Sequence, residues 1–547
     1  MPTVSQHVAV ALSRHIDEVF GLMGNGNAHF LDALLRRTPA RFTAVRHEAG
    51  AVVAADAHFR ASGRIAAATT TYGAGFTNTL TALAESAQAR IPLVLIVGDE
   101  PTSGPRPWDV DQIALASAVG VRTYTAGRLD AAASTVIAIE HALAYRVPVV
   151  LAIPYDVPTL EAGEVPPTPV LRLPAPTPPA PHTRAAVERV AAALAGAERP
   201  FLLAGRGAHL AGAREVLGAL ADATGAVTAS TALGRGVFPD ARYDLGVTGG
   251  FGAPGAMELV RDADVAVVLG ASLTPFTMRF GDLFSPGTRV VQVDVAPTAT
   301  HPRVGDYLQG DVRVVAELLV AALADAEPSG WRESVDLAPL RAQESGDRLA
   351  PDGRLDPRSA AQRIGELLPD DRVVVSDGGH FIGWANMYWP VASPERMIMV
   401  GTAYQSIGLG FPSVAGAAQA APASTIVLTT GDGGGLMALA DLETAVRTTG
   451  GRGVCVVWND GAYGAEVNLY GLKGLAESPM LIPEVDFAAL GAAVGAEGVV
   501  VRDLSDLDHL ARWSARPSDE RPFLLLDLRV SRSVIAPYQH EIIRVNS

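Results

Sequence analysis

The chain has 547 residues, of which 48% are hydrophobic and 18% charged, so it is too long for one hydrophobic core and too apolar to be disordered. Its formal net charge of −15 disfavours nucleic acid or an anionic membrane as the main partner, and its single cysteine, Cys455, excludes an intrachain disulfide. The N-terminus is not typical of a signal peptide and no apolar run is long enough to span a bilayer, so we expect a cytoplasmic protein.

Short apolar runs alternate with alanine-rich helical stretches along the whole chain. The strand-like runs, in chain order, are RIAAATTT, IPLVLIVGD, VPVVLAIP, RPFLLAGRG, DVAVVLGAS, TRVVQVDV, DRVVVSDGG, STIVLTTGDG, GVCVVWND and PFLLLDL. Most of them are continuously apolar, which is typical of parallel strands covered by helices on both faces. The pattern predicts an α/β fold with doubly wound parallel sheets.

Two stretches divide the chain into three segments. Residues 164–183 are dense in proline, which predicts neither helix nor central strand there. Residues 327–357 are polar, with scattered glycine and proline. We therefore predict three α/β domains, at 1–163, 184–326 and 358–535, each of an ordinary domain size.

The most informative motif lies in the third segment. The strand-like run STIVLTT ends at GDGGG (431–435), and the next run, GVCVVW, leads into NDGAYG. Loops at the carboxyl ends of parallel strands line the ligand crevice of an open sheet, so Asp432 and Asp460 should lie in that crevice. The glycines allow backbone N–H groups to approach an anion, and hard oxygen ligands beside a phosphate suit Mg²⁺.

This arrangement, with Asp460 placed 28 residues after Asp432, resembles the diphosphate-binding signature of thiamine-diphosphate enzymes. Further motifs follow in that family's order: GNGN at 24–27, RHEAGA at 46–51, TYGAGFTN at 71–78 and QSIGLGFP at 405–412. Over essentially its whole length the chain is similar to the superfamily of acetolactate synthase, pyruvate oxidase and benzoylformate decarboxylase. The resemblance implies pyrimidine-binding, central and diphosphate-binding domains, in that order.

The same resemblance implies thiamine diphosphate and Mg²⁺ as cofactors. Glu48 would hydrogen-bond N1′ of the aminopyrimidine ring, and the apolar residues around it predict a buried carboxyl with a raised pKa. Ile407 would wedge beneath the two rings of the cofactor. The residues implied to bind the cofactor are Glu48, Gly73, Gln405, Ile407, Gly431, Asp432, Gly433, Gly434 and Tyr463. The implied metal ligands are Asp432, Asp460 and the carbonyl of Ala462, although asparagine is commoner than aspartate at position 460.

The motifs say less about the specificity of the reaction. Asn25 occupies the position where relatives place a group over the reactive carbon, but GNGN is equally typical of a turn selected for its backbone shape. His380 is a candidate general acid–base or phosphate contact, and a lone histidine is also often structural. Asp99 stands where acetolactate synthases usually have glutamine, and Gln112 is a candidate neighbour.

The leading functional hypothesis is a lyase or carboligase that acts on the C–C bond next to the carbonyl of a 2-oxo acid or related ketone. The alternatives are a simple 2-oxo acid decarboxylase, a flavin oxidoreductase similar to pyruvate oxidase, a catalytically silent subunit and a plain dehydrogenase. FAD is not favoured, because GASLTPFT at 270–277 replaces the pattern of FAD-dependent acetolactate synthases. Family sites form between two subunits, which implies at least a homodimer and predicts a homotetramer.

Overall fold

The computed structural model describes residues 1–167 and 169–546, and the strands in these ranges form three parallel sheets of six. The strands of the first sheet are β1 (Glu18–Gly21), β2 (Arg41–Ala44), β3 (Ala66–Thr70), β4 (Leu93–Asp99), β5 (Arg122–Thr125) and β6 (Pro148–Pro154). Those of the second are β7 (Pro200–Ala204), β8 (Val227–Ser230), β9 (Asp244–Val247), β10 (Val265–Leu269), β11 (Arg289–Asp294) and β12 (Val304–Gln309). Those of the third are β13 (Val373–Ser376), β14 (Met397–Ile398), β15 (Ile426–Gly431), β16 (Gly453–Asn459), β17 (Glu497–Val501) and β18 (Leu524–Arg529).

Helices connect the strands and cover the sheets. In the first segment they are α1 (Val4–Ser13), α2 (Ala28–Arg37), α3 (Glu48–Ser62), α4 (Ala74–Thr77), α5 (Leu80–Gln88), α6 (Gln112–Ala118) and α7 (Ala131–Tyr145). In the central segment they are α8 (Pro181–Ala195), α9 (Arg206–Leu210), α10 (Arg214–Thr224), α11 (Pro254–Arg261), α12 (Val312–Ala322) and α13 (Trp331–Ser334). In the third they are α14 (Pro357–Leu367), α15 (Ile382–Tyr388), α16 (Gly410–Ala420), α17 (Asp432–Met437), α18 (Leu442–Thr449), α19 (Gly464–Glu466), α20 (Phe487–Ala493), α21 (Asp508–Ala515) and α22 (Pro537–Asn546).

The strand orders are β2-β1-β3-β4-β6-β5, β12-β11-β10-β7-β8-β9 and β14-β13-β15-β16-β18-β17. Central strands such as β4, β6 and β16 are buried at every residue because helices cover both faces of the sheet. The predicted fold class, α/β with three doubly wound parallel sheets, is confirmed. The domain limits 1–163, 184–326 and 358–535 stay a prediction.

One boundary expectation needs correction. Residues 164–183 were expected to contain no helix, but α8 begins at Pro181. A proline is compatible with the first turn of a helix, where its missing N–H has no intrahelical partner to lose.

The first and third segments pack directly against each other through α3 and α16, and one hydrophobic core runs through both. Within the described residues, no helix combines the length and the apolarity needed to cross a membrane.

Candidate active site

Three aspartates lie at the carboxyl edge of the third sheet. The chain reverses its direction of winding between β13 and β15, and such a switch point opens a crevice beyond the strand ends. Asp377 follows β13, Asp432 follows β15, and Asp460 follows β16, the next strand in the sheet. The sheet topology therefore places the two predicted metal-binding carboxylates at adjacent strand ends.

The two carboxylates of this pair are held by backbone N–H groups. The Asp432 carboxylate accepts hydrogen bonds from Gly433 N (3.0 Å) and Gly461 N (2.9 Å), and Asp460 accepts one from Ala462 N (3.1 Å). Burial and the nearby Asp527 raise the pKa of Asp432, and burial and the charge of Asp432 raise the pKa of Asp460. Each carboxylate therefore resists ionisation until a cation compensates the charge.

This donor set fits a hard divalent cation. The described part of the chain contains no group of three or more His, Cys, Asp or Glu side chains able to hold a metal. A third protein ligand would therefore come from the backbone, and the turn at Ala462, next to Asp460, carries a carbonyl of the expected kind. Oxygen ligands with open positions for phosphate suit Mg²⁺ better than a soft metal.

A glycine cradle lies beside the acid pair. A Cβ at Gly433 would lie 2.7 Å from the Tyr463 ring, and one at Gly434 would lie 2.8 Å from Asp377 Oδ2. Neither position has room for a side chain, so the backbone at the start of α17 stays accessible between Tyr463 and Asp377. Its N–H groups are suited to a phosphate oxygen, which fits the diphosphate of the expected cofactor.

The loop 401–409 carries Gln405 and Ile407, two of the residues expected to bind the cofactor. Asp377 is fully buried and accepts hydrogen bonds from Gly408 N (3.0 Å) and Leu409 N (3.2 Å), which fixes one end of this loop. Gln405 has a left-handed backbone (φ +59°), a conformation that costs a non-glycine residue about 1–2 kcal/mol. Ile407 is 36% exposed. An apolar side chain held partly in solvent is what a wedge under a ligand requires.

These elements line a cleft of about 1520 Å³. The predicted residues that line it are His380, Gln405, Ile407, Gly431, Asp432, Gly433, Gly434, Asp460, Ala462 and Tyr463. The cleft continues over the carboxyl edge of the central sheet, where Arg206 and Gly270 follow β7 and β10 and Asp294 is the last residue of β11. The C-terminal helix α22 contributes Tyr538 to its wall.

His380 is held by the C-terminal segment. Its Nε2 accepts a hydrogen bond from Ala536 N (3.0 Å), and Tyr538 donates from Oη to its carbonyl (2.8 Å). Burial, with a smaller effect of His540, lowers the pKa of His380 to about 4. The ring is therefore neutral near pH 7, with its proton on Nδ1, which disfavours a general-acid role and favours a hydrogen-bond donor to an anion.

Glu48 is the first residue of α3 and lies outside this cleft in the described part of the chain. Its carboxylate is half-buried, less than the sequence suggested, and accepts a hydrogen bond from Asn78 Nδ2 (2.9 Å). Gly75 lies on the same side, since a Cβ there would be 3.6 Å from Glu48 Oε1. The TYGAGFTN motif and the RHEAGA motif thus meet at Glu48.

Asn25 and Gly73 lie near each other on the first sheet's carboxyl edge, also outside the cleft. The exposed Asn25 side chain donates to Tyr72 Oη (3.0 Å). The turn itself is shaped by buried Asn27, which accepts from Gly24 N (2.8 Å) and donates to Leu22 O (3.1 Å). The side chain of Asn27, and not that of Asn25, therefore stabilises the GNGN turn.

Gln112 connects the remaining residues of this edge. Its Oε1 accepts from Gly73 N (2.8 Å), and its Nε2 donates to Asp99 Oδ1 (3.0 Å) and Gly98 O (2.9 Å). Burial is the main cause that raises the pKa of Asp99. These bonds fix the positive-φ turn at Gly73 (φ +61°) against the end of β4.

Sequence reasoning missed several polar residues around the two halves of the site, the diphosphate cleft with Asp432 and the surface with Glu48. Glu466 lines the cleft next to the Asp460 loop, and Glu85 and Asp441 are buried carboxylates between the first and third segments. Asp377 was missed as well, although it lies in the strand-like run DRVVVSDGG that precedes His380. Glu85 and Asp441 lie within alanine-rich helical patterns, where nothing local distinguishes them from surface acids.

Three family models match the chain. They are the thiamine pyrophosphate enzyme N-terminal TPP binding domain (residues 2–115), central domain (187–321) and C-terminal TPP binding domain (377–525). Thiamine pyrophosphate is another name for thiamine diphosphate. The chain belongs to the thiamine pyrophosphate enzyme family, and it is an enzyme of the C–C lyase and transferase kind.

Relatives whose names state a function agree with this class. A probable 2-ketoarginine decarboxylase from Pseudomonas aeruginosa is 30% identical over 94% of this chain and 91% of its own length. A sulfoacetaldehyde acetyltransferase from Castellaniella defragrans is 26% identical, with 98% and 94% covered. An acetolactate synthase from Mycobacterium bovis is 28% identical, with 88% and 81% covered. These relatives differ in reaction, so similarity fixes the cofactor class and leaves the substrate open.

Proposed function

We propose that this chain is a thiamine-diphosphate- and Mg²⁺-dependent enzyme that cleaves or forms the C–C bond next to the carbonyl of a 2-oxo acid or related ketone. The observation that carries the proposal is the pair of buried Asp432 and half-buried Asp460 beside the glycine cradle at the switch point of the third sheet. Two adjacent acids withdrawn from water without a compensating cation are costly, which is typical of a binding site rather than of a stabilising contact.

The roles of the residues follow from their positions. Asp432, Asp460 and the carbonyl of Ala462 would hold Mg²⁺, and the backbone at Gly431, Gly433 and Gly434 would lie against the diphosphate. His380 Nδ1–H and Tyr463 would contact the same anion. In the loop 401–409, the Gln405 carbonyl would accept a hydrogen bond from the aminopyrimidine's amino group, and Ile407 would support the rings.

When bound, thiamine diphosphate supplies the carbon nucleophile and the electron sink that C–C cleavage next to a carbonyl requires. Glu48 would share a proton with N1′ of the aminopyrimidine. Asn78 would orient that carboxylate through the hydrogen bond that its Nδ2 donates to Glu48 Oε2 (2.9 Å). Asn25 and Gly73 would lie at the same half of the site, where the amide of Asn25 can orient a carbonyl but cannot transfer a proton near pH 7.

The complete site would form between two subunits. Within one chain, Glu48 and the diphosphate cleft occupy separate surfaces, so a symmetric dimer would pair the first domain of one copy with the third domain of the other. Large apolar side chains are exposed around both halves: Met23 (68%), Trp108 (64%) and Ile113 (51%) on one, Tyr404 (50%) and Met437 (56%) on the other. Patches of this kind are typical of surfaces covered in an assembly. We expect a homodimer at least and propose a homotetramer; an active monomer in sedimentation experiments would contradict both.

The substrate experiment is a turnover screen of the purified protein with thiamine diphosphate and Mg²⁺. The panel would contain 2-oxo acids and diketones, with 2-ketoarginine and sulfoacetaldehyde added because of the relatives' names. Release of CO₂ with an aldehyde product would favour a simple decarboxylase, and a condensed product would favour a carboligase. Failure of every 2-oxo acid and ketone, with the cofactor bound, would overturn the proposed substrate class.

A flavin-containing oxidoreductase is the second candidate. The continuation of the cleft over the central sheet, past Arg206, Gly270 and Asp294, leaves space for a nucleotide. FAD remains less favoured because the sequence at 270–277 differs from the FAD-dependent pattern. Flavin absorbance in the purified protein would reverse this preference.

A further inference from the structure

A buried carboxylate from the first segment holds the loop 401–409 of the third. Glu85 lies in α5 and its side chain is fully buried. Its Oε2 accepts a hydrogen bond from Tyr404 N (2.6 Å), and its Oε1 accepts a longer one from Ala403 N (3.4 Å). Glu85, the acceptor, lies on a helix of the first segment, and the donors Ala403 and Tyr404 lie in a loop of the third. The contact therefore exists only when the two segments pack against each other.

Glu85 is itself held by an ion pair with Arg60. Arg60, on α3, donates to Glu85 Oε1 (3.2 Å) and to Asp56 Oδ1 (2.5 Å), and Asp56 also accepts from Ser86 Oγ (2.8 Å). Burial alone would lower the pKa of Arg60, but Asp56 and Glu85 outweigh that effect and raise it. The guanidinium therefore stays charged and fixes the orientation of the Glu85 carboxylate.

Little else holds the outer part of the loop. The side chains of Ala403, Tyr404 and Gln405 are exposed, so their burial contributes little to its conformation. The turn is closed by Ser406 N donating to Gly401 O (2.9 Å), and Gln405 adopts the unfavourable left-handed conformation. Asp377 fixes the far end at Gly408. Glu85 thus supplies the polar anchor immediately before Gln405.

We propose that Glu85, oriented by Arg60, is a positioning residue that presets the loop carrying Gln405 and Ile407 for the cofactor. This inference rests on the proposed function, since the loop's contact with the cofactor is part of it. The anchor reduces the conformations that the loop samples before binding. If its loss leaves about one molecule in ten with a competent loop, the apparent Kd for thiamine diphosphate rises about 10-fold.

The chain offers a matched control for this test. Glu18 is also a fully buried glutamate in the first segment and is paired with an arginine, Arg41. It lies on β1 and has no bond to the third segment among the described residues. Glu85→Gln and Glu18→Gln therefore remove comparable buried charges. Only Glu85→Gln also replaces one of the two oxygens that accept from the loop with an amide NH₂, which cannot accept, so it weakens the anchor of the loop.

The first readout is amide hydrogen exchange of the full chain without cofactor, followed by mass spectrometry. We expect the peptide containing Tyr404 to exchange at least about 10-fold faster in Glu85→Gln than in the wild type, and to be unchanged in Glu18→Gln. Both variants should lose some thermal stability. Equal protection of this peptide in Glu85→Gln and the wild type would overturn the proposal and leave Glu85 as a purely structural partner of Arg60.

The second readout is calorimetric binding of thiamine diphosphate with Mg²⁺. We expect a Kd about 10-fold higher in Glu85→Gln than in Glu18→Gln, and near-wild-type turnover once the cofactor is saturating. Faster loop exchange with an unchanged Kd would show that the loop's order does not serve the cofactor, and would overturn the inference. Failure of the wild-type chain to bind thiamine diphosphate would instead overturn the proposed function, and the exchange data would still report on the anchor by themselves.

Discussion

Replacing Glu48 with glutamine separates binding of the cofactor from its activation. Glutamine has nearly the same size, and its amide oxygen can still accept the hydrogen bond from Asn78 Nδ2 that the carboxylate accepts at 2.9 Å. Its amide group cannot supply a carboxylic proton to N1′. The substitution therefore changes proton sharing and leaves the local hydrogen bonding largely intact.

The expected magnitudes differ for stability and activity. Glu48 is half-buried and keeps one neutral hydrogen bond, so the free energy of unfolding should change by less than about 1 kcal/mol. A general acid–base contribution is typically about 10²–10⁴-fold, which raises the activation barrier by about 3–5 kcal/mol. The variant should thus fold and bind the cofactor while losing most of its turnover.

The assay is hydrogen–deuterium exchange at C2 of the bound cofactor, measured alongside turnover. Glu443→Gln is a suitable control, because Glu443 pairs with Arg46 (2.9 Å) near the same turn without contacting Glu48 among the described residues. Wild-type exchange in Glu48→Gln would refute the idea that this carboxyl activates the cofactor. Slow turnover with normal exchange would assign Glu48 to a later step.

Three further predictions concern other buried groups. Asp432→Ala should weaken thiamine diphosphate binding in the presence of Mg²⁺ by at least about 100-fold, since even residues that only support a metal ligand reach that range; unchanged affinity by calorimetry would argue against the metal site. Asp441→Ala should cost about 1–3 kcal/mol in unfolding experiments, because Asp441 accepts from Arg46 N (2.8 Å), next to the start of α3, and Asp441→Asn should retain most of this stability. Burial lowers the pKa of His58 to about 4, so folding disfavours its protonation, and stability should fall as the pH drops from about 6.5 toward 4. Urea titrations at pH 7 and pH 5 should show about 2 kcal/mol less of this loss in His58→Gln.

The sequence by itself determined the fold class and most of the diphosphate half-site. Central strands such as β4, β15 and β16 are largely apolar because helices cover both faces of the sheet. A short stretch of sequence is enough to recognise such a strand. The acids Asp432 and Asp460 directly follow two of these strands, so a local motif also fixes which edge of the sheet they occupy. Two edge strands were missed because β5 is polar and largely exposed and β14 has only two residues.

Only the tertiary structure decided which groups hold the two half-sites in shape. Glu85 is 318 residues from Ala403, and Asp441 is 395 residues from Arg46. In the sequence, each is an acid within a helical pattern and carries no mark of burial. The packing of α3 against α16 removes both carboxylates from water, and a buried carboxylate must then find donors wherever the other segment presents unpaired N–H groups. The same packing leaves Glu48 and the cleft on separate surfaces of one chain, a consequence of long-range topology that no local motif contains.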